Sequence, residues 1–273
     1  MRELLIHPRR AGDRPELVAV TPESAGWEHV GFEVLALGPG ATVGRELRGR
    51  EACLVPLEGT CSVTAGEESW PALGSRPTPF DGPPEALYLP PGRDFSVAAA
   101  GGPAEVAICT APARGGLEPH RIAADPARVE QRGEGAFARE IRPILMDEDR
   151  AEAESLLVCE VITPAGHWSS FPPHKHDREA LPEESLLEET YYHRLRPDGG
   201  FALQRVYDGG ELDETLAVGD RDTVLVPRGY HVVSAPPGYD LYYLNVMAGP
   251  ARRWAFQDDP RHAWIGAGAG ARS

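Results

Sequence analysis

The side chains of this sequence best suited to chemistry are imidazoles. His174 and His176 are separated by one residue in Phe171-Pro-Pro-His-Lys-His-Asp177. In an extended segment such a pair projects from one face while Lys175 points away. Glu189 opens the strand-like run Glu-Thr-Tyr-Tyr-His-Arg194, where the same alternation puts Glu189, Tyr191 and His193 on a common face. A further histidine, His231, follows the turn sequence Pro227-Arg-Gly-Tyr230. Neutral imidazoles with one carboxylate make a plausible ligand set for a catalytic divalent metal, and they suit Zn, Mn, Fe, Co or Ni without choosing among them. A His-x-His pair alone is weak evidence, because imidazoles also serve as ordinary hydrogen-bonding groups. The ensemble carries the reading.

Strands must position these groups. In the first half, runs of strand length lie between glycines and prolines at 31–37, 52–56, 61–65, 86–89, 95–99 and 105–110. The second half repeats the rhythm at 156–163, 189–194, 201–207, 223–227 and 241–247. With 30 Gly, 27 Pro and few long apolar helical patterns, the chain is expected to be all-β, built as sandwiches or small barrels. Residues 111–135 lack apolar periodicity and read as a linker or covering segment. Pro182 is well placed to start a short helix or turn over 183–189, and Glu183 and Glu184 read as solvated charge over the barrel mouth. Residues 266–273 read as a disordered tail. Leu87-Tyr-Leu-Pro-Pro-Gly-Arg93 resembles Leu225-Val-Pro-Arg-Gly-Tyr-His231, which hints at a duplication whose first copy lacks the histidine.

The order Pro172-Pro173, His-x-His, a glutamate strand, Pro-x-Gly before His231, and Asn245 fourteen residues later resembles the two sequence blocks of the cupin superfamily. In that superfamily a His-x-His pair, a glutamate and a later histidine bind one metal inside a small barrel. The spacing departs from the pattern. Twelve residues separate His176 from Glu189, so Glu179, Glu183, Glu184 and Glu188 compete for the ligand role. Glu189 is preferred because it begins a β-like run, and a ligand needs a rigid platform. One residue, not two, stands between Gly229 and His231.

Longer stretches narrow the resemblance. Ser169 to Asp177, Leu181-Pro-Glu-Glu-Ser185, Glu188 to Arg194, Gly200 to Tyr207, Leu225 to His231 and Gly238 to Gly249 together resemble the 5-deoxy-glucuronate isomerase family of myo-inositol catabolism. The amino-terminal half fits more loosely, through its strand rhythm and Val129-Glu-Gln-Arg-Gly133. Related 4-deoxy-L-threo-5-hexosulose-uronate isomerases share the two-barrel plan. The resemblance implies a bicupin, two cupin-type β-barrels or jelly rolls in one chain, with residues 1–125 forming a barrel without metal ligands and 126–273 carrying the metal and active site. It also implies one divalent metal on His174, His176, Glu189 and His231, and an assembly of like chains. The activity implied is an aldose–ketose isomerisation between 5-deoxy-D-glucuronate and 5-dehydro-2-deoxy-D-gluconate.

Such a reaction needs an acid and a base. His193, Tyr191 and Tyr243 are the candidates, since alternation places each on the ligand-side face of its strand, for Tyr243 on condition that Asn245, two residues on, also faces inward. The deoxy uronic acid also carries a carboxylate, for which Arg205 and Arg228 are the expected partners. The net charge of −15 argues against a nucleic-acid partner and makes local arginines necessary for an anionic substrate. No apolar run reaches the roughly 18 residues of a membrane helix, and the amino terminus lacks a secretory signal, so no membrane partner and a cytoplasmic location are expected. The four scattered cysteines read as small buried hydrophobes. A non-catalytic sugar-binding bicupin and an Fe(II) cupin dioxygenase are the competing classes.

Overall fold

The computed structural model describes residues 3–9, 14–148, 151–262, 264 and 265, so the tail expected to be disordered lies outside the described residues. It is almost entirely strands, in two compact units. One unit comprises Pro8–Val129 and Arg142–Cys159; the other comprises Met1–His7, Glu130–Ile141 and Glu160–Ser273. The chain passes between the units more than once, so no single cut, such as one after residue 125, separates them.

In the unit built mainly from the first half, a six-stranded sheet has the spatial order His120–Ile122, Ala86–Leu89, Arg50–Glu58, Ala104–Pro112, Gly31–Leu37, Glu16–Val20. A four-stranded sheet runs Thr42–Arg45, Phe95–Ala99, Cys61–Ala65, Glu68–Leu73. Side chains from both sheets form one apolar cluster, including Leu35, Leu54, Val63, Leu87, Val97 and Val106. Central strands such as Arg50–Glu58 are buried along nearly their whole length, which explains their continuous apolar sequence, whereas Cys61–Ala65 alternates buried with more exposed positions. Residues 111–135, expected to be a linker or covering segment, supply the edge strand His120–Ile122, paired with Ala86–Tyr88.

The second unit repeats this topology. Its larger sheet has the order Leu5–Ile6, Thr223–Val226, Glu188–Arg196, Asp240–Ala248, Leu157–Thr163, Arg139–Pro143, Glu130–Arg132, and its smaller sheet runs Asp213–Val218, Ala202–Tyr207, Tyr230–Ser234, Trp168–Lys175, Gln257–Asp258. The strand orders of the two units match position for position over their central strands, the signature of a duplicated fold.

Of the short helix or turn expected over 183–189, a turn is present at 181–183 and no helix follows it. Asp177–Ala180 and Glu184–Leu186 make a small antiparallel ribbon instead. Glu184 is the reason: it is buried, and its carboxylate accepts from Lys175 Nζ at 2.9 Å, Arg178 Nη2 at 2.8 Å and the Asp177 amide at 3.0 Å. Glu184 is therefore a pinned cross-strand anion and not solvated charge.

Candidate metal centre

His174 is the next-to-last residue of the strand Trp168–Lys175 and is in register with His231 on the neighbouring strand Tyr230–Ser234. Residues directly opposite in an antiparallel pair share a face, so register alone brings these two rings together, with centroids 4.6 Å apart. His176 lies two residues on and joins them, its ring 5.2 Å from that of His231. One ligand atom from each of the three histidines lies within 4.8 Å of the others.

The turn before His231 is set by Gly229, which has φ 86° and whose Cβ, if present, would lie 2.5 Å from the Tyr207 carbonyl oxygen. Only glycine fits there. The Gly229 amide donates to Asp177 Oδ2 at 2.9 Å, and its carbonyl lies 3.2 Å from His231 Nδ1.

Glu189 reaches the histidines from the opposite sheet. Its Oε2 is 3.1 Å from His176 Nε2 and 3.1 Å from His231 Nε2, while Oε1 accepts from Asn245 Nδ2 at 2.8 Å. The competing glutamates are placed elsewhere: Glu179 and Glu183 are exposed, Glu184 binds Lys175 and Arg178, and Glu188 alternates away from the inward face.

The tautomers suit a cation. His176 Nδ1 lies 3.1 Å from the Leu187 carbonyl, and His231 Nδ1 is similarly placed on Gly229. The ring of His174 bonds the Pro172 backbone. With each Nδ1 turned to a backbone carbonyl, Nε2 of His176 and His231 both face Glu189, where they can donate to its carboxylate or, without that proton, offer lone pairs to a cation, the arrangement of imidazole ligands oriented through their second nitrogen. His231 Nε2 is buried without a well-formed hydrogen bond. Burial pushes the Glu189 carboxyl up, but His231 and His176 beside it hold it well below the usual carboxylate range. Burial, then His231 and His176, keep His174 neutral far below its ordinary value. An anionic carboxylate among imidazoles, with an orphaned ring nitrogen, fits one divalent ion. Trp254 and Phe256 cover His174, at ring distances of 5.7 and 5.0 Å.

Beyond the histidines, the inward face of both sheets stays polar. His193, fully buried, has no hydrogen-bond partner within ordinary geometry at either ring nitrogen. Its ring lies 6.0 Å from those of Tyr191 and Tyr243. Ser170 Oγ is 3.0 Å from the Tyr191 hydroxyl and 3.5 Å from that of Tyr243. Ser170 has φ 49°, a left-handed conformation that a non-glycine residue adopts at some energetic cost, and such strain concentrates at functional sites.

Three polar residues here were not singled out from sequence: Ser170, Gln204 and Arg139. Gln204 faces the same side as His231, since Val206 pairs with His231 and Gln204 lies two residues away. It is fully buried, and both ends of its amide lack partners.

The expected carboxylate partners are not in this cluster. Arg205 sits on the exposed side of its strand, one residue out of phase with Gln204 and Val206, in a two-bond pair with Asp213 at 2.8 Å each. Arg228 is an exposed turn residue bonded to Asp208 at 3.0 Å. Lys175 points away as expected, to Asp177 and Glu184.

Among the described residues no helix is long and apolar enough to cross a membrane. The four cysteines are buried and form no disulfide, as expected.

Residues 4–265 match the KduI/IolB family. The chain is 49% identical over 267 residues to the 5-deoxy-glucuronate isomerase of Geobacillus thermodenitrificans (strain NG80-2), covering 97% of this chain and 96% of that one. It is 45% identical over 248 residues to the Bacillus subtilis (strain 168) protein of the same name, covering 90% and 91%. The crystal structure of an IolB-like protein from Salmonella typhimurium LT2 matches with a TM-score of 0.92 at 43% identity, over 97% of this chain and all of that one. Lactobacillus farciminis oxalate decarboxylase matches with a TM-score of 0.67 at 12% identity, covering 98% and 91%, a likeness of bicupin fold alone. On this combination of full-length sequence match and shared architecture, the chain belongs to the KduI/IolB family.

Proposed function

We propose that this protein is a 5-deoxy-glucuronate isomerase of inositol catabolism, interconverting 5-deoxy-D-glucuronate and 5-dehydro-2-deoxy-D-gluconate with a divalent metal held by His174, His176, Glu189 and His231. The observation that carries the reading is the convergence of two imidazole nitrogens on one carboxylate oxygen, 3.1 Å from each, with a third imidazole alongside. The activity named for the relatives supports the choice of substrate. Bound there, the ion would act as a Lewis acid on the sugar's carbonyl oxygen.

The isomerisation moves a proton from the hydroxyl-bearing carbon to the former aldehyde carbon. A second proton passes from the hydroxyl oxygen to the aldehyde oxygen, so nothing is oxidised overall. His193 is the proton acceptor in this reading. Burial pushes its pKa down to about 4, so it is neutral at pH 7, with one ring nitrogen free to accept a proton. Burial, and then the charge of Glu189, push the Tyr191 phenol well above its ordinary value. Tyr191 therefore keeps its proton and donates to a substrate oxygen. Ser170 ties its hydroxyl to that of Tyr243, fixing both donors before substrate arrives. The unpartnered amide of Gln204 offers a donor and an acceptor to a sugar hydroxyl.

The test is an NMR assay of the metal-loaded protein with 5-deoxy-D-glucuronate in deuterated water under anaerobic conditions. Chelator-sensitive formation of the ketose, with solvent deuterium at the former aldehyde carbon, is expected. Binding without turnover would favour a sugar-binding protein, an oxygen requirement would favour a dioxygenase, and ketose without solvent deuterium would replace the His193 route by a hydride shift.

A further inference from the structure

In a protein with net charge −15, a sugar acid whose carbonyl end lies at the metal cluster still needs a second cation for its carboxylate, and the outward placement of Arg205 and Arg228 leaves that need unmet. Arg139 is differently situated. It begins the strand Arg139–Pro143 of the larger sheet, is partly buried, and makes one hydrogen bond, from Nη1 to the Phe137 carbonyl at 3.2 Å. Among the described residues no carboxylate bonds it. The contrast within the same unit is sharp, because Arg178, Arg194, Arg205, Arg228 and Arg261 each hold an aspartate or glutamate within 3.0 Å. A guanidinium has five N–H donors, and water removed by burial must be replaced by some acceptor.

A chain of contacts puts Arg139 at the tyrosine end of the polar cluster. The Phe137 ring, beside the carbonyl that Arg139 bonds, packs 6.1 Å from Phe171. Phe171 adjoins Ser170, whose hydroxyl bonds those of Tyr191 and Tyr243. Tyr191 also spans toward the histidines, with its ring 5.7 Å from that of His231. Backbone shape keeps this place open for the side chain. Gly133 has φ 77°, and a Cβ there would lie 2.9 Å from Arg139 Nη1 and 2.3 Å from the Phe137 oxygen.

We propose that Arg139 is the specificity-determining residue for the substrate's terminal carboxylate, pairing with it through its guanidinium fork while the sugar's carbonyl end lies at the histidine cluster. This assignment rests on the isomerase reading. No bond is made or broken at Arg139, which orients the open-chain acid and favours uronates over neutral sugars.

The experiment compares the metal-loaded wild type and Arg139→Gln on 5-deoxy-D-glucuronate and on its neutral uronamide, with metal content measured in parallel. For the acid, kcat/KM is expected to fall on the order of 100-fold, mostly through KM. Activity on the uronamide should change little, and metal content should be unchanged. An equal loss on acid and amide, or no loss on the acid, would overturn the proposal. If Arg139→Gln does not fold, Arg139→Lys is read in the same way, with a smaller rise in KM specific to the acid because the charge remains and the fork is lost. Absence of wild-type turnover on the acid would overturn the isomerase reading instead, so the two failures are distinguishable.

Discussion

The two barrels share a strand order and differ in what fills them. In the second unit, His174, His231 and Val206 stand in register across three strands of the smaller sheet. On the corresponding strands of the first unit, Val43, Val97 and Val63 stand in register and belong to or pack against the apolar core. The contrast between two glutamates is equally instructive. Glu51 and Glu189 are both buried and lie on corresponding strands. Glu51 is saturated: the amides of Glu154, Ser155 and Leu156 donate to it at 2.7–2.8 Å, and the Tyr88 hydroxyl at 2.8 Å. Glu189 accepts one amide from Asn245 and turns its other oxygen to two imidazoles. A cupin barrel thus tolerates either filling, and a buried carboxylate is structural or functional according to whether protein donors use up its oxygens.

The sharpest way to break this comparison is to neutralise the carboxylate that faces the imidazoles. Glu189→Gln is expected to lower kcat on the order of 10^3-fold, with retention of fold checked by circular dichroism, because the anion that faces the imidazoles is lost. The reciprocal change, Glu51→Ala, should leave kcat near wild type at 25 °C while destabilising the protein by about 3 kcal/mol in urea unfolding, since three amides and a tyrosine hydroxyl lose their acceptor. If Glu51→Ala abolished activity in folded protein, the division of labour between the barrels would be wrong. Asn245→Leu removes the bond that orients Glu189 and should weaken metal affinity by about 10- to 100-fold in a competition titration.

A pH experiment probes Glu184, the anion pinned in the small ribbon. Burial pushes the Glu184 carboxyl up, but hydrogen bonds from Arg178, Lys175 and the Asp177 amide outweigh it and lower it from 4.5 to about 2. A depressed carboxylate stabilises the folded state above its unfolded value and ceases to do so as it protonates. The contribution, on the order of 2 kcal/mol, is therefore complete above about pH 4.5 and lost as the pH falls toward 2. Glu184→Gln should flatten that part of the acid stability curve. The smallest effect is expected at Gln204. Gln204→Leu removes an unpartnered amide from the interior, so stability should rise by about 1 kcal/mol while KM for the sugar increases. A loss of stability would show that the amide is satisfied in solution.

Much of this was legible in the sequence because burial writes itself into composition. The runs at 31–37, 61–65, 86–89 and 95–99 coincide with strands to the residue. Thr42–Arg45, Glu68–Leu73 and Asp213–Val218 were not legible, because they are largely solvent-facing and lack apolar residues at enough positions. Choosing Glu189 over the nearer glutamates rested on the rigidity of a strand start, and the structure brings that side chain to the histidines. Arg205 went astray for a simple reason: one residue of phase decides which face a strand side chain occupies, and the pairing of Val206 with His231 was needed to set it. With that register, Gln204 could have been found as the polar residue in phase with Val206. Arg139 had no such signal, since its meaning lies in a missing partner that only coordinates reveal.

The central claim is that the second barrel holds a metal through residues the first barrel lacks. Elemental analysis of purified wild type, Glu51→Ala and His231→Ala after equilibration with a limiting divalent metal tests it most directly. One ion per chain is expected in wild type and Glu51→Ala and essentially none in His231→Ala. A full complement of metal in His231→Ala, with its fold intact, would contradict the account.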